Sequence, residues 1–350
     1  MNSNESTAKN KTHDGMLWLD KISNHHQLGG IETSILDNGA GKGVRIAWID
    51  TGSGLRFKVV LDRAMDIADA FYNKHSLAWI SHLGVTPPDL SVISGINWLN
   101  GFGGGLLTTC GLTHTGGPEK DEYGERGVHD RISHVRAMVE SVVQPDLNKG
   151  NLRMSITGRM LQYTMFGPQL ELKRTISAIL GSPKITIKDE VTNLGNVPAP
   201  HMLLYHINFG WPLIDEDTEL IWKGEAISRG TRDDNYIFNN NNFNICKPPI
   251  DEHKGKGESV AFIDVEPESS GICECSVHNH NLPLKIKLRF KKEQLPWLTS
   301  WQHWSSNEYV TALEPGTHTP LGQSAARKNN SLLFIQPEES RIYEIEMEVF

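Results

Sequence analysis

Apolar and polar residues alternate with period two over most of the chain. The clearest run is the last one, where Tyr343, Ile345, Met347 and Val349 alternate with Glu344, Glu346 and Glu348. That is the pattern of a strand with one buried and one wet face. Ile286, Leu288 and Phe290 alternate in the same way with Lys285, Lys287, Arg289 and Lys291. Further strands are predicted at 44–50, 55–61, 76–80, 135–143, 152–160, 170–179, 184–191, 202–209, 219–222, 259–265, 273–277 and 309–313. Turn-forming clusters separate them, among them DNGAGKG at 37–43, TGSG at 51–54 and PEES at 337–340. No long segment carries a 3.6-residue period. The pattern predicts an all-β fold: a large antiparallel β-sandwich with few helices.

Two segments break the rhythm. Residues 84–118 are rich in Gly, Pro, Asn and Trp and contain FGGGLLTTCG at 102–111, which lacks the Gly-Lys-Ser/Thr ending of a phosphate-binding loop. Residues 229–256 include four consecutive asparagines at 239–242 and read as a surface excursion with no chemistry of its own. The polar start, residues 1–14, reads as a disordered lead-in without the apolar stretch of a secretory signal. Residues 15–350 read as a single domain.

Composition narrows the function. A formal net charge of -8 and the absence of a dense basic stretch argue against a nucleic-acid partner. No segment approaches the roughly 20 apolar residues of a membrane span. The four cysteines, Cys110, Cys246, Cys273 and Cys275, have neither zinc-ligand nor redox-motif spacing and read as reduced thiols, which suits a cytoplasmic protein. Among the 15 histidines no His-Glu-Xaa-Xaa-His motif occurs, and His201 and His206, five apart, point to opposite faces of a strand. No metal or other cofactor is expected.

Four polar clusters remain. In LYHINFG, 204–210, the alternation puts Tyr205, Ile207 and Phe209 on one face and His206 and Asn208 on the other. A core strand has no packing reason to carry a histidine and an amide there, so this face lines a site or meets water. The segment 61–67 sets Asp62, Arg63 and Asp66 at the end of an apolar strand, where an ordinary surface ion pair is the competing reading. His129 and Arg131 lie two apart in a turn. Glu314 ends an apolar strand just before Pro315, and partial burial would raise its pKa toward that of a useful base. A histidine and a carboxylate on separate strands are the minimum equipment for moving two protons on a polar substrate.

With those residues in place, the chain resembles the aldose 1-epimerase (galactose mutarotase-like) superfamily, within its divergent aldose epimerase-like branch. The matching pieces are QLGGI at 27–31, DRAMDI at 62–67, GLLTTCGL at 105–112, GVHDRIS at 127–133, LYHINFG at 204–210 and LEPGT at 313–317. The resemblance implies a mutarotase-like supersandwich fold and a monosaccharide or sugar-derivative substrate. It implies His206 as the general acid toward the ring oxygen and Glu314 as the base toward the anomeric hydroxyl. His129 would hydrogen-bond the sugar, Arg63 or Arg131 would contact it, Asp66 would read its hydroxyls, and Asn208 would support the site. Two other readings compete. A non-catalytic carbohydrate-binding protein would use its aromatic side chains, including Trp98, Trp211, Trp297, Trp301 and Trp304, to stack on sugar rings. A glycoside hydrolase would need a second carboxylate, for which only Asp66 or Glu125 offers itself.

Overall fold

The alternating runs fold as strands, paired antiparallel throughout. The computed structural model describes residues 21–238 and 243–350; the expected lead-in at 1–14 and the asparagine run at 239–242 lie outside them. Eight strands form one sheet in the order Glu219–Trp222, Ile272–Asn279, Leu284–Lys291, Ser340–Val349, Lys184–Asn193, Gln169–Ile179, Arg153–Tyr163, Met138–Val143. Its strands keep one face wet. In Arg153–Tyr163, Met154, Ile156 and Met160 are buried while Arg153, Arg159, Leu161 and Tyr163 are exposed. Burying each such apolar side chain contributes about 1.5–3 kcal/mol.

A second sheet lies in the order Gly224–Ser228, Ser259–Val265, Trp297–Ser305, Glu308–Gly316, Ala199–Phe209, Leu333–Ile335, and Thr108–Leu112 also pairs with Ala199–Phe209. A five-stranded meander, Gly30–Ile35 through His75–Ser76, and a short hairpin of Glu119–Asp121 with Gly124–Arg126 complete the sheets. The strands absent from the sequence reading include Thr108–Leu112 and Trp297–Ser305. Thr108–Leu112 is buried at every position, and so is most of Trp297–Ser305. With both faces covered, a strand need not alternate. The segment 229–256 is also more ordered than expected, since it holds an α-helix at Arg232–Phe238. All four cysteines are free and buried.

A buried polar network ties the layers together. Arg174, from the eight-stranded sheet, donates from Nε (2.9 Å) and Nη2 (2.6 Å) to the Asp189 carboxylate. Its Nη1 reaches Asp66 Oδ1 (3.1 Å), Thr109 Oγ1 (2.8 Å) and Ala64 O (3.1 Å). Tyr205 donates its hydroxyl proton to Asp189 Oδ2 at 2.7 Å. Tyr205 is therefore pinned inward, and its neighbour His206 is obliged to face the other way. Opposite this strand, Gly111 sits at φ +130°, where a Cβ would lie 2.4 Å from Met202 O. Only glycine lets Thr108–Leu112 approach so closely.

Candidate active site

One polar row runs across four adjacent strands. Thr108 is paired with His206, and Thr299 with Glu314. His206 and Glu314 are themselves cross-strand neighbours, bracketed by the pairs Leu204–Gly316 and Ile207–Leu313. In an antiparallel sheet paired residues share a face, so Thr299, Glu314, His206 and Thr108 project together. His206 Nε2 lies 3.1 Å from Glu314 Oε1, with 5% of His206 and 3% of Glu314 exposed. The distance is that of an ion pair, but the atoms are out of line for a hydrogen bond. His206 Nδ1, Glu314 Oε1, Asn208 Oδ1 and Thr299 Oγ1 are all buried with no hydrogen-bond partner. Four such atoms on one face are costly unless a polar guest satisfies them.

Aromatic rings enclose the pair. Phe102 and Trp301 each lie 5.3 Å from the His206 ring, and His129 lies edge-on at 6.1 Å. Trp98 stacks on Phe102 at 4.7 Å and meets His129 at 5.0 Å. Burial drives the electrostatics. It lowers the His206 pKa to about 4, against the opposing influence of the Asn208 amide and the Glu258 carboxylate. It raises Glu314 well above the ordinary carboxylate range, and Glu258 adds to that rise. Each partner thus favours its neutral form, which puts the shared proton on Glu314.

His129 occupies a left-handed turn, φ +53°, followed by Asp130 at +57°. Asp130 holds the turn by accepting from Thr113 N (3.1 Å), Thr113 Oγ1 (2.6 Å) and Gln162 Nε2 (2.7 Å). His129 Nδ1 accepts from the Gly116 amide at 3.2 Å. Its pKa is pressed well below the usual value by burial, then by His206 and His114. A neutral imidazole whose Nδ1 accepts must carry its proton on Nε2, so His129 is a hydrogen-bond donor.

Sequence reasoning missed Glu258. Its Oε2 accepts from Trp301 Nε1 at 2.7 Å and its Oε1 from Arg229 Nη1 at 2.6 Å. Arg229 is held in turn by Asp234, through Nε at 3.1 Å and Nη2 at 3.0 Å. The segment read as free of chemistry therefore fixes a second carboxylate beside the pair. The available signal was position: Glu258 stands at the entry of the strand Ser259–Val265, beside Trp301 on the neighbouring strand. Thr299 and Phe102 were missed as well, and Trp301 was singled out only as a stacking surface.

Three predicted contacts lie elsewhere. Arg63 donates from Nε to Ser133 O, from Nη1 to Thr86 Oγ1 (2.9 Å) and from Nη2 to Gly101 O (3.0 Å). These bonds to loop carbonyls and a hydroxyl brace the segment carrying Phe102. Asp66 belongs to the Arg174 network, its Oδ1 lying 3.1 Å from Arg174 Nη1. Arg131 clamps the hairpin end through Tyr163 O (2.5 Å) and Thr164 Oγ1 (2.8 Å). Asn208 does lie on the site face; its Nδ2 donates to Gly105 O and His206 O, both at 3.0 Å. Among the described residues, the His, Cys, Asp or Glu group with converging metal-ligand atoms is Glu219, His278 and His280, on the other sheet.

A family model described as a domain of unknown function (DUF4432) matches residues 41–349. No curated protein matches the chain. A protein of Klebsiella pneumoniae subsp. pneumoniae MGH 78578, provisionally named an aldose 1-epimerase, is 23% identical with a TM-score of 0.83, over 93% of this chain and 86% of that one. A galactose mutarotase-like protein of Clostridium acetobutylicum is 10% identical with a TM-score of 0.62, over 91% and 98%. The galactose 1-epimerase of Lactobacillus acidophilus NCFM is 9% identical with a TM-score of 0.57, over the same shares. These likenesses establish a galactose mutarotase-like β-sandwich.

Proposed function

The chain belongs to the DUF4432 family, and from its fold and site we propose that it is a cofactor-free sugar isomerase that interconverts anomers, as aldose 1-epimerases do. The observation that carries this reading is the His206–Glu314 pair, 3.1 Å apart on a face with four unpartnered polar atoms. Mutarotation needs a group that protonates the ring oxygen while another removes the C1 hydroxyl proton. The C1–ring oxygen bond breaks, the open-chain aldehyde turns about C1–C2, and closure on the other face reverses both transfers. His206 serves as the acid and Glu314 as the base.

That assignment requires the proton on His206, whereas burial favours Glu314. A bound sugar reverses the preference. Its C1 hydroxyl donates to Glu314 and stabilises the carboxylate, and its ring oxygen accepts from His206 and stabilises the imidazolium. The pair carries one proton before and after, so turnover needs no exchange with solvent. His129 donates from Nε2 to a sugar oxygen, and Glu258 accepts from a sugar hydroxyl.

Saturation-transfer NMR or polarimetry across a panel of aldoses tests this. His206→Ala and Glu314→Gln are each expected to slow interconversion by about 10²–10⁴-fold. If no sugar is interconverted faster by the wild type than by these variants, the reading fails. The enclosure of His206 by Phe102 and Trp301 supports a second reading, a sugar-binding protein without turnover. Calorimetric binding of a sugar with no exchange between its anomers would select that one.

A further inference from the structure

On the eight-stranded sheet, Glu219 is directly paired with His278. Their neighbours Leu220 and Val277 are buried in the core, so Glu219 and His278 point outward. His280 follows at the end of the same strand. The turn that presents it is fixed by Asn279, which donates to Pro212 O (2.9 Å) and accepts from Asn281 N (2.9 Å) and Leu282 N (3.1 Å). His280 Nε2 lies 3.1 Å from Glu219 Oε2, and the His278 and His280 rings are 3.9 Å apart. One ligand atom from each of the three falls within 4.8 Å of the others.

We propose that Glu219, His278 and His280 bind a divalent transition-metal ion, zinc above all, with solvent completing its coordination. Zn–N and Zn–O bonds of about 2.0–2.2 Å place tetrahedral ligands about 3.3 Å apart, close to the 3.1 Å already found between Glu219 and His280. Two imidazoles and one carboxylate select zinc or its neighbours over magnesium or calcium, which prefer all-oxygen sites. Lys285, paired with His278 on the neighbouring strand, is a positive charge beside the cluster and is half-buried. The metal would brace Glu219–Trp222, a four-residue edge strand paired only with Ile272–Asn279 apart from one bridge to Ile245. This site stands on different residues from the candidate active site and is independent of the proposed reaction.

Isothermal titration of the full chain, stripped with a chelator, with zinc chloride tests it. One equivalent should bind and raise the melting temperature, while magnesium should do neither. In the His278→Ala/His280→Ala double variant and in Glu219→Gln, affinity should fall by about tenfold or more. Melting temperatures in chelator should match the wild type, since these side chains are half-buried or exposed. If the double variant melts early in chelator, His280→Ala alone decides, because His280 is exposed. No zinc binding, or undiminished binding in these variants, as the adjacent His25 and His26 would give, overturns the proposal.

Discussion

At the scale of single residues, the candidate chemistry rests on how one proton divides between His206 and Glu314. The active pair holds one proton, so activity should fall on the acid side when both are protonated and on the alkaline side when neither is. Glu258 raises both pKa values through its negative charge. Glu258→Gln should therefore move both limbs of the pH–activity profile toward lower pH, measured as kcat/KM against pH. A profile that stays in place would separate Glu258 from the pair. His206, Glu314 and His129 were legible in sequence because a polar residue on an apolar strand or tight turn has no packing reason to be there. Arg63, Asp66 and Arg131 were harder to place, because a charge in a sequence does not show its partner. Arg63 and Arg131 are held by carbonyls and hydroxyls, and Asp66 by Thr109 and the Arg174 charge. Glu258 stayed hidden for the converse reason, since its partners Trp301 and Arg229 are distant in sequence.

At the scale of elements, legibility followed solvent exposure. Strands with one wet face, such as Leu284–Lys291 and Ser340–Val349, alternate visibly. Thr108–Leu112 and Trp297–Ser305, which flank the site, are buried on both faces and lose the signal. What aligns Ala199–Phe209 is the Arg174–Asp189–Tyr205 network beneath it. Asp189→Asn removes the fully buried one of the two carboxylates facing Arg174. Breaking such a pair costs about 3–5 kcal/mol, and chemical denaturation should show a loss of that order. A loss below about 1 kcal/mol, the size of a surface ion pair, would mean that the network does not anchor the strand.

At the scale of the molecule, buried histidines set the response to acid. Burial lowers His206 and His253 to about 4, and His134 and His201 to about 3. The unfolded chain takes up protons at these residues near pH 6.5, while the folded chain resists until much lower pH. The unfolded state therefore binds more protons in between, and stability falls as the pH drops below about 6.5. Glu314 and Asp66, both raised by burial, act with the opposite sign but are outnumbered. Each histidine contributes up to about 1.4 kcal/mol per pH unit in that window. Urea midpoints should decline between about pH 6.5 and 5; a flat or rising trend would refute this account. The polar row has one more consequence. Its members are held together by strand register, so a single-residue slip would send His206 or Glu314 to the opposite face. Phe102, His129 and Glu258, by contrast, arrive on connecting segments, which tolerate insertion and sequence drift. Under the proposed function, sequence drift in those segments would alter which sugar fits while the His206–Glu314 pair stays fixed, and new specificities are best sought by diversifying those segments alone.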